Sequence, residues 1–502
     1  MSPLGSTVGD LARSAGELLV EVRGPTEQVV TGLAHDSRRV EAGDAFACVV
    51  GLKDDAHRHA RAAVASGAAA LISERALDLG VPEIVVTNAR RALGRLAAEL
   101  NGWPGARLEL FGITGTNGKT TTAYLLESIC RAAGRTTGLI GTIETKVAGS
   151  SRPGVRTTPD SLELQGLLAE MVGAGVTSVV MEVTSHALRL DRVEGLCFQS
   201  VAFTNLSQDH LDFHHDMEDY FAAKKELFSP QKARRGAVNA DDVYGLKLAA
   251  DRAIELITFG LAPDANVCGR NVRLGRWSNE FVISVQGVEG SEEAEIEVSS
   301  GLVGEFNVSN CLGACAAALS AGLSLDAVLH GLEGVKAVPG RFEPIDQGQP
   351  FAVVVDYAHT PDSLDNVLAQ ARRLAGYSSG RVLCVFGCGG DRDRGKRPLM
   401  GAAAARGADV VIVTSDNPRS EDPETIIAEI LEGVEAQRAS GADAVLVERA
   451  EAIASACALA RPGDVVAICG KGHETGQEFS EVTIPFDDRI VVRAALREAG
   501  YR

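Results

Sequence analysis

Hydrophobic positions fall into short runs separated by longer stretches in which apolar residues, many of them alanine, recur at helical spacing. Short continuous runs bounded by turn residues predict strands buried on both faces, and their alternation with helical stretches predicts parallel sheets covered by helices. Residues 1–106 contain DAFACVV, AALISE and EIVVTN with helical stretches such as 60–65, and close on the turn-rich NGWPGAR. This pattern predicts a small α/β domain. Residues 107–339 open with LELFGIT at 108–114, followed by a Gly-rich turn and a helix over 120–133. TGLIGT and TSVVMEV then continue the sheet. Between 266 and 299 the runs shorten and alternate, which predicts an antiparallel excursion, and a helix over 307–319 returns the chain to the core. Residues 340–502 repeat strand then helix through FAVVVDYA, RVLCVFG, ADVVIVTS, AVLVER and GDVVAICG, the pattern of a doubly wound, Rossmann-like domain. The expected class is therefore α/β in three domains, with boundaries at 1–106, 107–339 and 340–502.

Length supports that division, since 502 residues make roughly three domains at about 150 each. An apolar fraction of 45% and a charged fraction of 23% are ordinary for globular chains. Forty-nine basic against sixty-seven acidic residues leave a net charge of −18, which argues against a polyanionic nucleic acid as partner. No run approaches the ~18 apolar residues of a membrane span, and the start of the chain has no signal-peptide form. The ten cysteines form no C-x-x-C pair and read as buried thiols of a reducing compartment. A cytoplasmic monomer is the expectation.

The strongest chemical signal is GTNGKTTT at 115–122, between a predicted strand and a predicted helix. Small residues let successive backbone N–H groups face one concavity, to which the helix adds its positive end. Lys119 can reach the β- and γ-phosphates of a nucleoside triphosphate, and the Thr120 hydroxyl can ligate Mg²⁺. Ile113 stands where the usual phosphate loop has its first glycine, so Gly115 must supply the turn. The strand ending at Glu182 places a carboxylate at the same sheet edge, suited to Mg²⁺. NLSQDHLDFHHD at 205–216 lacks zinc-ligand spacing; it reads as His210 serving a second Mg²⁺, with Asp209 and Asp212 shaping the turn. In YFAAKKELF, helical periodicity turns either Lys224 or Lys225 toward the sheet. Four charged strand-end loops follow in the third domain: DYAHTPD, GCGGDRDRGKRP, DNPRSEDP and GKGHE.

GTNGKTTT, MEVTSH, NLSQDHLDFH, YFAAK, GEFNVSN, PGRFE, DYAHTPD and GKGHE occur in the order found in the Mur ligase family, and the chain resembles that family over nearly its whole length. The resemblance implies an N-terminal domain for a UDP-linked substrate, a central phosphate-loop ATPase and a C-terminal domain for an amino acid. DNPR, preceded by GGDRDRGKRP, is similar to the family members that join meso-diaminopimelate to UDP-N-acetylmuramoyl-L-alanyl-D-glutamate. It implies ATP contacts at Gly115, Thr116, Asn117, Gly118, Lys119, Thr120, Thr121, Asn310, Arg341 and Asp356. Lys224, rather than Lys225, is the implied carbamylated lysine, holding a second Mg²⁺ with His210 and Glu182. Ser37 and the stretch Leu52, Lys53 and Asp54 match UDP-binding positions, and Thr157, Thr158, Thr184 and Arg192 match contacts to the muramoyl dipeptide. Arg392, Asp416, Asn417, Pro418, Arg419, Gly470 and Glu474 match the diaminopimelate site. Two positions depart from relatives: Leu190 stands where many have glutamine, and the triplet at 52–54 differs. A folylpolyglutamate synthase, the nearest rival, has no use for residues 1–106 or for DNPR.

Overall fold

A computed structural model of the protein describes residues 5–51, 54–211, 213–275, 277–288, 293–376 and 379–502. Leu52, Lys53 and Asp212 lie outside the described residues. Two compact units emerge, one built mainly from residues 1–259 and the other mainly from 329–502 with 260–287 and 292–312.

The first unit begins with a five-stranded sheet. Its strands are Leu19–Arg23 (β1), Gly32–Ala34 (β2), Asp44–Ala47 (β3), Ala70–Ser73 (β4) and Glu83–Val86 (β5), in the order β1-β5-β4-β3-β2. β2 to β5 run parallel and β1 closes the edge antiparallel to β5. Helix α1, Ala89–Leu100, starts at Asn88, whose side chain accepts from the Arg91 N–H, and turns Ala92, Leu93 and Leu96 into this layer's core.

A larger parallel sheet follows: Glu109–Thr114 (β6), Thr137–Ile140 (β7), Ser178–Glu182 (β8), Phe198–Phe203 (β9), Ala233–Asn239 (β10) and Glu255–Gly260 (β11), ordered β7-β8-β6-β9-β10-β11. Strand β6 sits centrally, so helix α2, Lys119–Ala132, begins at the sheet's carboxyl edge, where open parallel sheets bind ligands. All five residues of β8 are buried, which accounts for the unbroken apolar reading of SVVME up to its terminal glutamate.

In the second unit, Val267–Leu274 (β12), Asn279–Val285 (β13) and Ala294–Ser300 (β14) pair antiparallel, as the alternating pattern predicts. The helix carrying Asn310 spans Glu305–Ser320 (α3). The main sheet contains Ala352–Asp356 (β15), Val382–Phe386 (β16), Val410–Val413 (β17) and Val465–Cys469 (β18), with β18 lying between β15 and β16. Residues along each strand alternate between two cores. Cys384 and Phe386 pack on one face, while Leu383 and Val385 pack on the other. The AVLVER run supplies only a two-residue strand, Ala444–Val445. Helices α4, Arg449–Leu459, and α5, Asp488–Glu498, cover one face.

All ten cysteines are free and nine are buried. Cys197 is exposed, which corrects the expectation of uniformly buried thiols; it closes a turn just before β9 rather than lying within an apolar run.

Candidate active site

The strand–loop–helix at β6–α2 has the backbone of a phosphate loop. Gly115 has φ of 148°, and a Cβ there would sit 1.9 Å from Thr204 Oγ1, so the turn requires glycine at 115 whatever occupies 113. Gly118, with φ of 82°, turns the chain into α2. Thr204 and Asn205, at the end of β9, brace the loop from beside it. The Asn117 N–H donates to Asn205 Oδ1 (2.9 Å), the Thr116 N–H donates to the Asn205 carbonyl (2.9 Å), and Thr204 Oγ1 donates to the Asn117 carbonyl (2.6 Å). Neither side chain stood out in the sequence, because histidine and aspartate dominate that segment's chemistry.

Lys119 Nζ donates to the carbonyls of Gly115 (3.0 Å) and Thr116 (2.8 Å). Lys224 Nζ donates to the same Gly115 carbonyl at 2.8 Å and lies 4.6 Å from the centre of the Tyr220 ring. Lys224 is only 1% exposed. Burial, reinforced by the Lys119 charge, pulls its amine well below the usual lysine range. Lys225 points outward and pairs with Asp251. The helix Met217–Lys225 therefore resolves the choice that periodicity left open.

Glu182 is buried at the end of β8. Thr120 Oγ1 donates to its Oε2 (3.0 Å), and the Thr142 N–H donates to its Oε1 (2.8 Å). Thr157, Thr158, Thr184 and Arg192 gather beside it. Thr158 Oγ1 donates to the Glu182 carbonyl (2.9 Å), the Thr184 N–H donates to Thr158 Oγ1 (3.2 Å), Arg192 Nη1 donates to the Thr158 carbonyl (2.9 Å), and Thr157 meets Thr142 at 3.0 Å. Six residues from four stretches of the sequence thus form one patch. His210 takes a φ of 54°, its ring is part-exposed, and it meets His186 edge-on with 4.8 Å between ring centres. Among the described residues no three His, Cys, Asp or Glu side chains form a ready metal cage, and the oxygen donors Thr120 and Glu182 are the pair in contact. Ser37 opens a short helical turn capped by Asp36 in the N-terminal sheet region.

In the second unit, Asp356 ends β15 and accepts from the N–H groups of Phe342 and Ala358, both at 2.7 Å. Burial raises its carboxyl, and the Arg341 guanidinium partly counters the rise. Arg341 lies over the Tyr357 ring, 4.8 Å from its centre. Asn310 donates to Asn307 within α3.

The DNPR and GKGHE loops interlock. Asn417 Nδ2 donates to Glu474 Oε2 (2.8 Å), while the buried Lys471 donates to Asn417 Oδ1 (2.8 Å) and Glu474 Oε2 (2.9 Å). Gly470 has φ of 116°, and a Cβ there would approach Asp416 Oδ2 to 2.4 Å. A Cβ on Gly390 would meet the Pro418 carbonyl at 1.9 Å. Arg419 Nη1 donates to the Gly390 carbonyl (2.9 Å), and its Nε pairs with Glu478 at 2.6 Å. Arg392 is exposed on the preceding loop. Lys471 and Glu478 were missed: in GKGHE only Gly470 and Glu474 match the family's site positions, and Glu478 lies in no motif.

A cleft of about 1320 Å³ opens at the opposite end of β6, lined by Arg91, Arg95, Asp191, Glu194 and Lys232 among others. It contains none of the sequence-predicted residues.

A phosphate loop on a parallel sheet, a buried carboxylate on the neighbouring strand and a second doubly wound sheet with charged strand-end loops define a nucleotide-binding α/β protein. Residues 113–318 match the family described as Mur ligase middle domain, and residues 340–472 match the Mur ligase, glutamate ligase domain. A relative from Solibacter usitatus named UDP-N-acetylmuramoyl-L-alanyl-D-glutamate--2,6-diaminopimelate ligase is 47% identical, covering 97% of this chain and 99% of its own. Another of the same name, from Streptomyces avermitilis (strain MA-4680), is 44% identical over 99% of this chain and 97% of its own. A solved structure titled as that ligase superposes with a TM-score of 0.71 at 32% identity, covering 99% of this chain and all of its own. The chain belongs to the Mur ligase family.

Proposed function

We propose that the chain joins meso-diaminopimelate to UDP-N-acetylmuramoyl-L-alanyl-D-glutamate at the expense of ATP, in cytoplasmic synthesis of peptidoglycan precursor by a monomer; the names of its relatives give the UDP-linked dipeptide and 2,6-diaminopimelate as the pair that is joined. The observation that carries this reading is the convergence of Lys119 and buried Lys224 on the Gly115 carbonyl, beside the Thr120–Glu182 pair. The γ-carboxylate of the D-glutamyl residue attacks the γ-phosphorus of ATP, ADP leaves, and an acyl phosphate forms. The amine of diaminopimelate then attacks the acyl carbon, phosphate leaves, and the amine's proton passes to solvent. Lys119 neutralises phosphoryl oxygens as charge develops on them, and the loop N–H groups orient the nucleotide.

The residues fit Mg²⁺, because a hydroxyl and a carboxylate are hard oxygen donors. Thr120 and Glu182 would hold one ion; Glu182, His210 and Lys224 as its carbamate would hold a second. Bound Mg²⁺ supplies positive charge to the phosphates. Burial disfavours the protonated form of the Lys224 amine, and a neutral amine can add CO₂ and release a proton, which would make Lys224 an anionic oxygen donor. Thr157, Thr158, Thr184 and Arg192 would contact the muramoyl dipeptide, and Ser37 would contact the UDP moiety. Asn310, Arg341 and Asp356 would contact ATP. Arg392, Asp416 to Arg419, Gly470 and Glu474 would hold the amino acid.

The test is phosphate release measured with each substrate omitted in turn. Turnover should require the UDP-linked dipeptide and diaminopimelate together, with the amide product visible by mass. Turnover that ignores diaminopimelate would overturn the reading.

A further inference from the structure

We infer that Arg449 is a positioning residue, locked by Asp488, which sets the spacing between the two loops that carry the amino-acid contacts; the inference rests on the proposed site in those loops. Arg449 is the first residue of α4 and Asp488 the first of α5, and both side chains are fully buried. Arg449 Nε donates to Asp488 Oδ1 and its Nη2 donates to Oδ2, both at 2.7 Å, a two-point fork. The remaining donors reach two backbone carbonyls. Nη2 donates to Cys469 (3.0 Å) and Nη1 to Ser415 (3.5 Å). Cys469 immediately precedes Gly470, and Ser415 immediately precedes Asp416. One guanidinium therefore spans the bases of the GKGHE and DNPR loops, and the carboxylate behind it fixes its plane.

A stability role alone does not explain this arrangement. Burying two charges costs desolvation that their attraction rarely repays with surplus, and apolar residues of similar volume often do as well or better. Five donors in a rigid plane do what an apolar pair cannot, holding two strand ends at a set distance. The loops are also linked at their tips by Lys471, Asn417 and Glu474, and by Gln477 Nε2, which donates to the Asp416 carbonyl (2.7 Å). Arg449 is the tie at their base. The Gly470 approach to Asp416 leaves little room for the loops to shift without losing register.

The decisive variant is Arg449→Met/Asp488→Leu, which removes both charges together and avoids leaving one buried alone. Its melting temperature should stay within about 5 °C of the parent. Its KM for diaminopimelate should nonetheless rise at least about tenfold, with KM for ATP and for the UDP-linked dipeptide within about twofold. Amide hydrogen exchange should accelerate in the segments around 414–421 and 469–480 and remain unchanged elsewhere. A folded double variant with parental KM for diaminopimelate, KM values that rise together for all three substrates, or unchanged exchange in both segments would each overturn the inference. Arg419→Ala, assayed alongside, separates the two levels. If it raises KM for diaminopimelate while the double variant does not, the positioning role fails and the site stands. If Arg419→Ala has no effect on that KM, the site assignment fails and takes the positioning role with it.

Discussion

Lys224 and Lys225 are chemically identical neighbours whose environments differ completely. Lys224 is sealed against the Gly115 carbonyl with its amine pulled toward neutrality, while Lys225 stands in solvent with Asp251. Lys224→Ala should therefore lose nearly all ligation, and short carboxylates such as acetate should restore part of it by standing in for a carbamate oxygen. Lys225→Ala should keep activity within about threefold, since an exposed ion pair contributes little. Initial rates with and without added carboxylate check both, and rescue of Lys225→Ala in place of Lys224→Ala would reverse the assignment. His473 shows the same physics in titration. Burial, helped by the nearby Arg341 charge, pushes its ring down to about 4, and its Nδ1 has no hydrogen-bond partner among the described residues. The unfolded chain takes up this proton near 6.5 and the folded chain only near 4, so the unfolded state holds more protons between these values. Stability contributed by the neutral ring is full above 6.5 and falls as the pH drops toward 4, by up to about 3 kcal/mol. Denaturant unfolding at pH 4.5 and 7.5 should show His473→Gln losing less on acidification than the parent; equal losses would contradict this.

At the scale of elements, strands ending in chemistry were legible because an apolar run followed by glycine or a charge has few other readings. β6 with its Gly-rich turn, β8 ending in Glu182, the antiparallel β12 to β14 and the strands β15 to β18 all follow from local pattern. Links between elements were not legible. Arg449 and Asp488 are helix-initial residues with no motif around them, and Asn205 sits in a segment whose histidines attract attention first. Glu478 bears on the proposed amino-acid site. An Arg419 with no partner but the distal carboxylate would be left without a counterion when L-lysine replaces diaminopimelate. Instead Arg419 already has Glu478 at 2.6 Å and is 23% exposed. In the proposed site the penalty for lacking the distal carboxylate would therefore be reduced, and Glu478 would compete with that carboxylate for the guanidinium. The parent protein should prefer diaminopimelate by at least about tenfold in kcat/KM, Glu478→Gln should widen the preference, and Arg419→Ala should narrow it to a few-fold. Competition assays with both amino acids check this; a preference that survives Arg419→Ala intact would place carboxylate recognition elsewhere.

For the molecule as a whole, the proposed sites assign the two half-reactions to different sets of residues, so that the halves can be separated by assay. The nucleophile for ATP is a carboxylate of the UDP-linked substrate, and the residues proposed to receive it, Lys119, Thr158, Glu182 and Arg192, all belong to the first unit. The amine that consumes the acyl phosphate is proposed to be held by the second unit, through the interlocked DNPR and GKGHE loops. The second unit is also proposed to share in the first half-reaction, because Asn310, Arg341 and Asp356, the proposed ATP contacts, lie in it. The division is thus by site within the unit, and it predicts three outcomes in one assay. With diaminopimelate omitted and hydroxylamine added, the acyl phosphate is trapped as a hydroxamate, which reports the first half-reaction alone. Arg419→Ala should form hydroxamate within about threefold of the parent rate while amide formation at sub-saturating diaminopimelate falls by roughly thirtyfold or more. Lys119→Ala should lose both, because removing a positive charge from developing phosphoryl charge costs ~3 kcal/mol or more, about a hundredfold. Asp356→Ala should also depress hydroxamate formation, although it lies in the same unit as Arg419. If Arg419→Ala lowers hydroxamate and amide in equal proportion, the amino-acid loops act on ATP chemistry as well, and the assignment of separate sites within the second unit is wrong.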